Sequence, residues 1–299
     1  MKDLLKKMSG LPALILSMAV FGTVGIFRRY IPLPSGWIAL ARGTVGALFL
    51  IIVMLVARKR PNFAILRKNL IPLLISGAFL GINWILFFES YLYTTVATAT
   101  VCYYMAPVIV TLLSPFVLKE RLTLKKGLCV AVAFVGVAMV SGLGQGGNEP
   151  SRIRGILLAL AAAVLYACIV LLNKRMSEVP ALDRTVVQLG ISSLVLLPYT
   201  LIAEPISDVS FTLPAVLCLV VVGVLHTGIA YALYFGSIGH LGAQTAALCS
   251  YIDPVVAIVL SAILFREPMG VWGVIGTVLV IGSALVGELQ FRRSQKTSS

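Results

Sequence analysis

Tyr104-Met105-Ala106-Pro107-Val108 and Tyr251-Ile252-Asp253-Pro254-Val255 stand 147 residues apart, and the match extends outward in that register. Thr98-Ala99 meets Thr245-Ala246, Cys102 meets Cys249, Ser114 meets Ser261, and Lys119-Glu120 meets Arg266-Glu267. Upstream, Gly81, Trp84 and Phe88 fall on Gly228, Tyr231 and Phe235. Agreement of this kind at a fixed spacing is the mark of an internal repeat rather than of shared hydrophobicity.

The repeat lies in an unusually apolar chain. Hydrophobic residues make up 59%, charged residues 12%, and the mean hydropathy is +1.01. About a quarter charged residues is usual for a soluble domain, so the class is membrane. A hydrocarbon core about 30 Å thick takes about 20 apolar residues per helix. Such runs are read at 11–27, 36–57, 70–91, 96–117, 127–142, 154–173, 184–203, 213–235, 242–264 and 270–289. Each must be helical, because lipid offers no partner to the backbone. The expectation is an all-α integral membrane protein of ten transmembrane helices in two five-helix repeats, 1–142 and 154–289. A linker at 143–153 and a tail at 290–299 complete the chain. An odd number of spans per repeat turns the second upside down relative to the first, a plan that puts the substrate site near the midplane.

Charge placement gives the orientation. Lys2, Lys6, Lys7, Arg58, Lys59, Arg60, Arg67, Lys68, Lys119, Arg121, Lys125, Lys126, Lys174, Arg175, Arg184, Arg292, Arg293 and Lys296 fall on one side of the ten-span plan. Only Arg28, Arg29, Arg152, Arg154 and Arg266 fall on the other. Loop Lys/Arg bias marks the cytoplasmic side, so both termini are expected there, in a plasma (inner) membrane. The formal charge of +13 is thereby topological and implies no nucleic acid. The Lys-rich start and the apolar run from Leu11 imitate a signal peptide, but nine further spans favour an uncleaved first helix. Cys102, Cys129, Cys168, Cys218 and Cys249 fit no metal spacing or disulfide framework. No phosphate-binding loop and no hydrolase motif occurs, so neither ATP-driven pumping within the chain nor enzymatic activity is expected, and no cofactor or metal.

With its twice-repeated proline-centred helix ending in Lys119-Glu120 and Arg266-Glu267, the chain resembles the EamA-type branch of the drug/metabolite transporter superfamily over residues 11–289. The resemblance implies ten helices, cytoplasmic termini, and export or exchange of amino acids, related metabolites or drugs. The first span and its partner from Gly155 carry no acidic residue. They depart there from the small four-helix multidrug members and their first-helix glutamate.

Several residues can carry the chemistry. Pro107 and Pro254 lack the N–H that would bond the carbonyls of Tyr103 and Ser250, and paired helix breaks point to a binding site. A packing kink is the plainer reading of each. Asp253 costs roughly 2.5–3.5 kcal/mol at the bilayer centre, so it should face protein or water. There it can bind an amino group, carry a proton or satisfy local backbone; its counterpart is Ala106. His226 can relay protons or simply hydrogen-bond. Arg42, about 8 Å inside its span by helical rise, can hold a carboxylate bidentately, pair with Glu89 or snorkel. Gln188 takes its place in the second repeat. Aromatics match as Phe21 with Tyr166, Trp84 with Tyr231 and Tyr104 with Tyr251; rings of this kind line pockets or merely pack helices. Not all candidates share a direction: Tyr251 and Asp253 lie about 200° apart on a helix, and Asn83 and Trp84 about 100°. Glu120 and Glu267 read as structural. Gly273, Gly276 and Gly282 allow close helix approach, within the chain or in a homodimer.

The sequence thus reads as a secondary carrier that moves a small-molecule substrate through the lipid bilayer by alternating access, exporting amino acids or related metabolites. Drug or amphiphile efflux and a channel-like facilitator are the alternatives. An intramembrane lipid-processing enzyme is remote, given one Asp and two His, His226 and His240.

Overall fold

The computed structural model describes residues 10–118, 124–141, 150–204, 211–238, 249–266 and 270–296. These form α1 (Leu11–Gly22), α2 (Val24–Tyr30), α3 (Ser35–Val56), α4 (Phe63–Lys68) and α5 (Leu70–Tyr93). Next come α6 (Val96–Tyr103), α7 (Ala106–Leu118), α8 (Leu124–Ser141), α9 (Pro150–Arg175) and α10 (Ala181–Ala203). The order ends with α11 (Leu213–Val221), a π-helical stretch Val222–Ile229, α12 (Ala230–Ile238), α13 (Ile252–Leu264) and α14 (Val271–Lys296).

Among the described residues, seven helices or helix pairs are long and apolar enough to cross a membrane. Leu11–Tyr30 is α1 with α2, Val96–Val117 joins α6 to α7, and Leu213–Tyr234 runs through the π-helical stretch. Three shorter apolar helices, Gly127–Val140, Ile252–Leu264 and Val271–Ser283, fall where the fifth, ninth and tenth spans are expected. The start of that ninth span, 242–248, lies outside the described residues, as do Glu120, His240 and Glu267. Two boundaries differ from expectation. Helix resumes at Pro150, inside the expected linker, because a proline at the first helical position gives up an N–H that has no partner there anyway. Helix α14 continues through Lys296 into the expected tail.

Bare apolar side chains cover the outside: Leu55, Ile71, Phe116, Leu194 and Ile202 are exposed, as a lipid-facing surface requires. Small residues let backbones meet inside. A Cβ at Gly136 would stand 2.7 Å from the Gly276 carbonyl, and one at Gly276 would stand 2.5 Å from the Gly136 carbonyl. The tenth-span glycine Gly276 therefore serves packing of α8 on α14 within the chain, while Gly282 has open space beside it. Gly43 similarly admits Ser192 and Ser193 between α3 and α10.

Polar clamps hold both ends of α10, one at the start of α3 and the other at the cap of α4. At one end the Glu204 carboxylate accepts from the backbone N–H groups of Gly36 (3.1 Å) and Trp37 (3.2 Å), and Trp37 Nε1 donates to the Glu204 carbonyl at 2.9 Å. These N–H groups belong to the first turn of α3, which has no intrahelical acceptor for them. Burial pushes the Glu204 carboxyl above the usual range, against the pull of the two N–H donors. At the other end Asp183 accepts from the backbone N–H of Asn62 at 3.2 Å. Nearby, Glu178 is held below its usual range by hydrogen bonds from Asn69 and Lys68.

Candidate functional site

The helix breaks build the site. Helix α1 stops at Gly22 and α2 starts at Val24, with the Thr23 hydroxyl donating to the Val20 carbonyl at 2.8 Å. Helices α6 and α7 are parted by a turn at Tyr104-Met105, and a turn at Tyr251 precedes α13. Each of the last two breaks lies three residues before a proline, Pro107 or Pro254. The proline removes the N–H that would have continued the ladder, and the chain turns where the ladder is weakest. Gly22 is required at the meeting point: a Cβ there would lie 2.5 Å from the Asp253 carbonyl and 2.8 Å from Val256 Cβ.

A cavity of about 230 Å³ opens between these breaks. Phe21, Arg42, Trp84, Tyr104, Pro107, Tyr166, Tyr231 and Asp253, all singled out from the sequence, line it. The helical directions separate the remaining pairs as their angles require. Trp84 faces the cavity, while Asn83 turns away to donate to the Ala162 carbonyl at 2.6 Å and accept from the Tyr103 hydroxyl at 3.3 Å. Asp253 faces it, while the buried Tyr251 is not among the lining residues, its ring 6.4 Å from that of Tyr104. Pro254 also lies outside the lining. Gln188 donates to Ser76 Oγ (2.7 Å) and Asn173 Oδ1 (2.8 Å), tying α10 to α5 and α9 away from the cavity.

His226 is fully buried in the π-helical stretch and does not line the cavity. Its Nε2 meets Thr23 Oγ1 at 2.8 Å, and its ring stands edge-on to Phe27 with centroids 4.9 Å apart. Its neighbour Thr227 reaches the site indirectly, accepting from Arg42 Nε at 3.0 Å. The Arg42 guanidinium lies over Trp84 at 4.6 Å and Phe88 at 5.9 Å from the ring centroids. This fixes the plane of the fork and leaves its terminal nitrogens without a protein hydrogen bond among the described residues. The expected alternative partner Glu89 is engaged elsewhere, accepting from Ser35 Oγ at 2.7 Å, with Arg28 also on that hydroxyl at 3.3 Å.

Asp253 sits in the first turn of α13, where the positive end of the helix favours an acid. It interacts with the Tyr104 hydroxyl and, electrostatically, with Arg42. The equivalent end of α7 opens with Ala106 and has no acid in its first turn. One helix start is thus matched by a carboxylate, and the other faces a cavity that also holds the guanidinium.

Sequence reasoning missed Phe87, Tyr91 and Thr100 among the lining residues, and singled out Tyr103 and Ser250, which also line it, only for the carbonyls that the prolines leave without an N–H. Trp84, Phe87, Phe88 and Tyr91 stand at positions i, i+3, i+4 and i+7 on α5, the spacing of a single helix face, so that aromatic stripe was available to be read. Nothing in the spacing of Val222–Ile229 marks the π-helix, and the Glu204 clamp joins residues far apart in the chain.

The comparisons with known proteins agree with this architecture. One solved structure superposes on 95% of this chain and 97% of its own with a TM-score of 0.66 at 22% identity, which shows the fold. Uncharacterized transporter YxxF of Bacillus subtilis (strain 168) is 29% identical over 283 residues, covering 94% of this chain and 90% of its own. An uncharacterized transporter of Archaeoglobus fulgidus is 24% identical over 278 residues, 93% of this chain and 95% of its own. The profile of the EamA-like transporter family matches residues 8–142 and again 153–286. A multi-pass apolar helical bundle with a polar, aromatic-walled cavity at its helix breaks, matched by that family over nearly its whole length, belongs to the EamA-like transporter family.

Proposed function

We propose that the chain is a secondary carrier of the plasma membrane that exports amino acids or related metabolites by alternating access. In this reading ten helices form two inverted repeats with both termini in the cytoplasm, and the spans holding α5, α6–α7, α11–α12 and α13 move as gates. The family profile matching twice and the two proline-linked breaks support the repeat.

One observation carries the substrate class: a single cavity has a stacked, outward-forked Arg42 and a helix-start Asp253 on its wall, with aromatic rings around them. Arginine matches a carboxylate bidentately, and a carboxylate beside π faces suits an ammonium group. A zwitterion satisfies both charges and leaves neither buried alone, which would be costly. The cavity, at about 230 Å³, is smaller than the roughly 300–1,000 Å³ of drug-sized sites, which favours a small metabolite.

Counterflow into proteoliposomes tests this with an amino acid, its methyl ester and its N-acetyl derivative. Only the zwitterion should exchange. Exchange of bulky amphiphiles alone would move the assignment to drug efflux, the reading the aromatic wall supports second. Flux of the zwitterion without acceleration by substrate on the far side would make the protein a facilitator.

A further inference from the structure

The Tyr104 hydroxyl donates to the Ser250 carbonyl at 3.1 Å. That carbonyl is the one to which Pro254 cannot donate, because proline has no N–H. Tyr104 belongs to the turn between α6 and α7, and Ser250 to the chain just before α13, so the bond joins two helix breaks 146 residues apart in sequence. The same hydroxyl interacts with the Asp253 carboxyl, and Tyr104, Ser250 and Asp253 all line the cavity. Three oxygens of different kinds therefore converge on one stretch of cavity wall: a carboxylate, a backbone carbonyl and a phenol.

A tyrosine hydroxyl has one proton to donate. While it serves Ser250, it cannot also be given to Asp253. A primary ammonium group brings three N–H donors. Such a group at Asp253 can take over the Ser250 carbonyl and free the Tyr104 hydroxyl to donate its hydrogen bond to the carboxylate, so that every oxygen remains satisfied. A quaternary ammonium carries the same charge and meets the same rings, but has no N–H to offer.

We propose that Asp253, the Ser250 carbonyl and Tyr104 form a subsite for primary ammonium groups, whose occupation displaces Tyr104 from Ser250 and undoes the bond between the two helix breaks. This rests on the amino-acid reading above and adds to it a requirement for N–H donors on the ligand. It also gives Pro254 a function at a distance from the ligand. By withholding its own N–H, Pro254 keeps the Ser250 carbonyl available. Arg42, facing the same cavity and coupled electrostatically to Asp253, disfavours a bare amine and favours one that carries its own carboxylate.

The test is binding to the full-length purified protein, by calorimetry, of glycine, leucine and phenylalanine, each beside its N,N,N-trimethyl betaine. The wild-type protein should bind at least one amino acid about tenfold more tightly than its betaine, the worth of one hydrogen bond in a buried site. Pro254→Ala supplies an N–H to Ser250 within the helix and should bring the two affinities to within about threefold, chiefly by weakening the amino acid. Tyr104→Phe removes the donor that changes partner on binding and should shift the amino-acid-to-betaine preference away from its wild-type value. Equal affinities for amino acid and betaine in the wild type, or a preference unmoved by both substitutions, would overturn the subsite while leaving amino-acid binding intact. Binding of none of the six compounds would overturn the subsite and the amino-acid reading together.

Discussion

Gly22→Ala is a one-methyl change whose cost follows from geometry. The added Cβ would stand 2.5 Å from the Asp253 carbonyl and 2.8 Å from Val256 Cβ, where ordinary contact begins at 3.4 Å. Backbone on one side and a β-branched residue on the other leave no flexible end to give way, so α1 and the start of α13 must part by about 0.9 Å. Forcing extra volume into a packed site costs about 1–3 kcal/mol. The matching control is Gly190→Ala in α10, where a Cβ meets nothing within 4 Å. In a helix interior that change gains about 0.4–1 kcal/mol by restricting the unfolded chain. Thermal melting in detergent should therefore lower Tm for Gly22→Ala and leave Tm unchanged or raised for Gly190→Ala. Because Asp253 moves with its backbone, substrate exchange should fall far more than the stability change explains, by up to about 100-fold for a displacement near 1 Å. Gly22→Ala with wild-type Tm and exchange would refute the proposed contact between α1 and the α13 break.

Arg42→Lys keeps the charge but loses the planar fork and the Nε bond to Thr227; substrate KM should rise about tenfold or more with little change in expression, read by exchange kinetics. Glu204→Gln should change the pH dependence of melting. Its carboxyl is pushed up in the folded state, so its favourable contribution is present at acid pH and is lost as pH rises through the folded-state value. The Gln variant should thus gain on wild type as pH rises, and a gain on acidification would contradict the assignment. Lys68→Ala breaks an exposed ion pair with Glu178 at 3.1 Å and should shift Tm by less than about 2 °C.

The membrane class, the long spans and the proline-linked breaks were legible because hydrophobic length and missing N–H groups act locally. Asp253 was legible for a related reason: a carboxylate amid apolar residues must face something polar. The orientation of neighbours such as Asn83 and Trp84 was bounded by helix geometry but not decided by it, since the choice depends on the Ala162 carbonyl of α9. The role of His226 turned on Thr23 in the break between α1 and α2, and that of Arg42 on Thr227 and two rings from α5. Such partners lie far away in sequence, and only tertiary packing brings them together. The π-helical stretch belongs to the same class. It is pressed against α3, where Gly223 meets Val45 and Gly228 meets Phe49, and it positions Thr227 toward Arg42.

The most direct test of the account is efflux of labelled amino acids from proteoliposomes containing either the wild-type protein or Asp253→Asn, melted in parallel to establish folding. The account predicts saturable efflux of at least one zwitterionic amino acid by the wild type and its loss in a folded Asp253→Asn protein. Equal efflux by the two proteins would contradict it, because the cavity carboxylate would then have no part in transport.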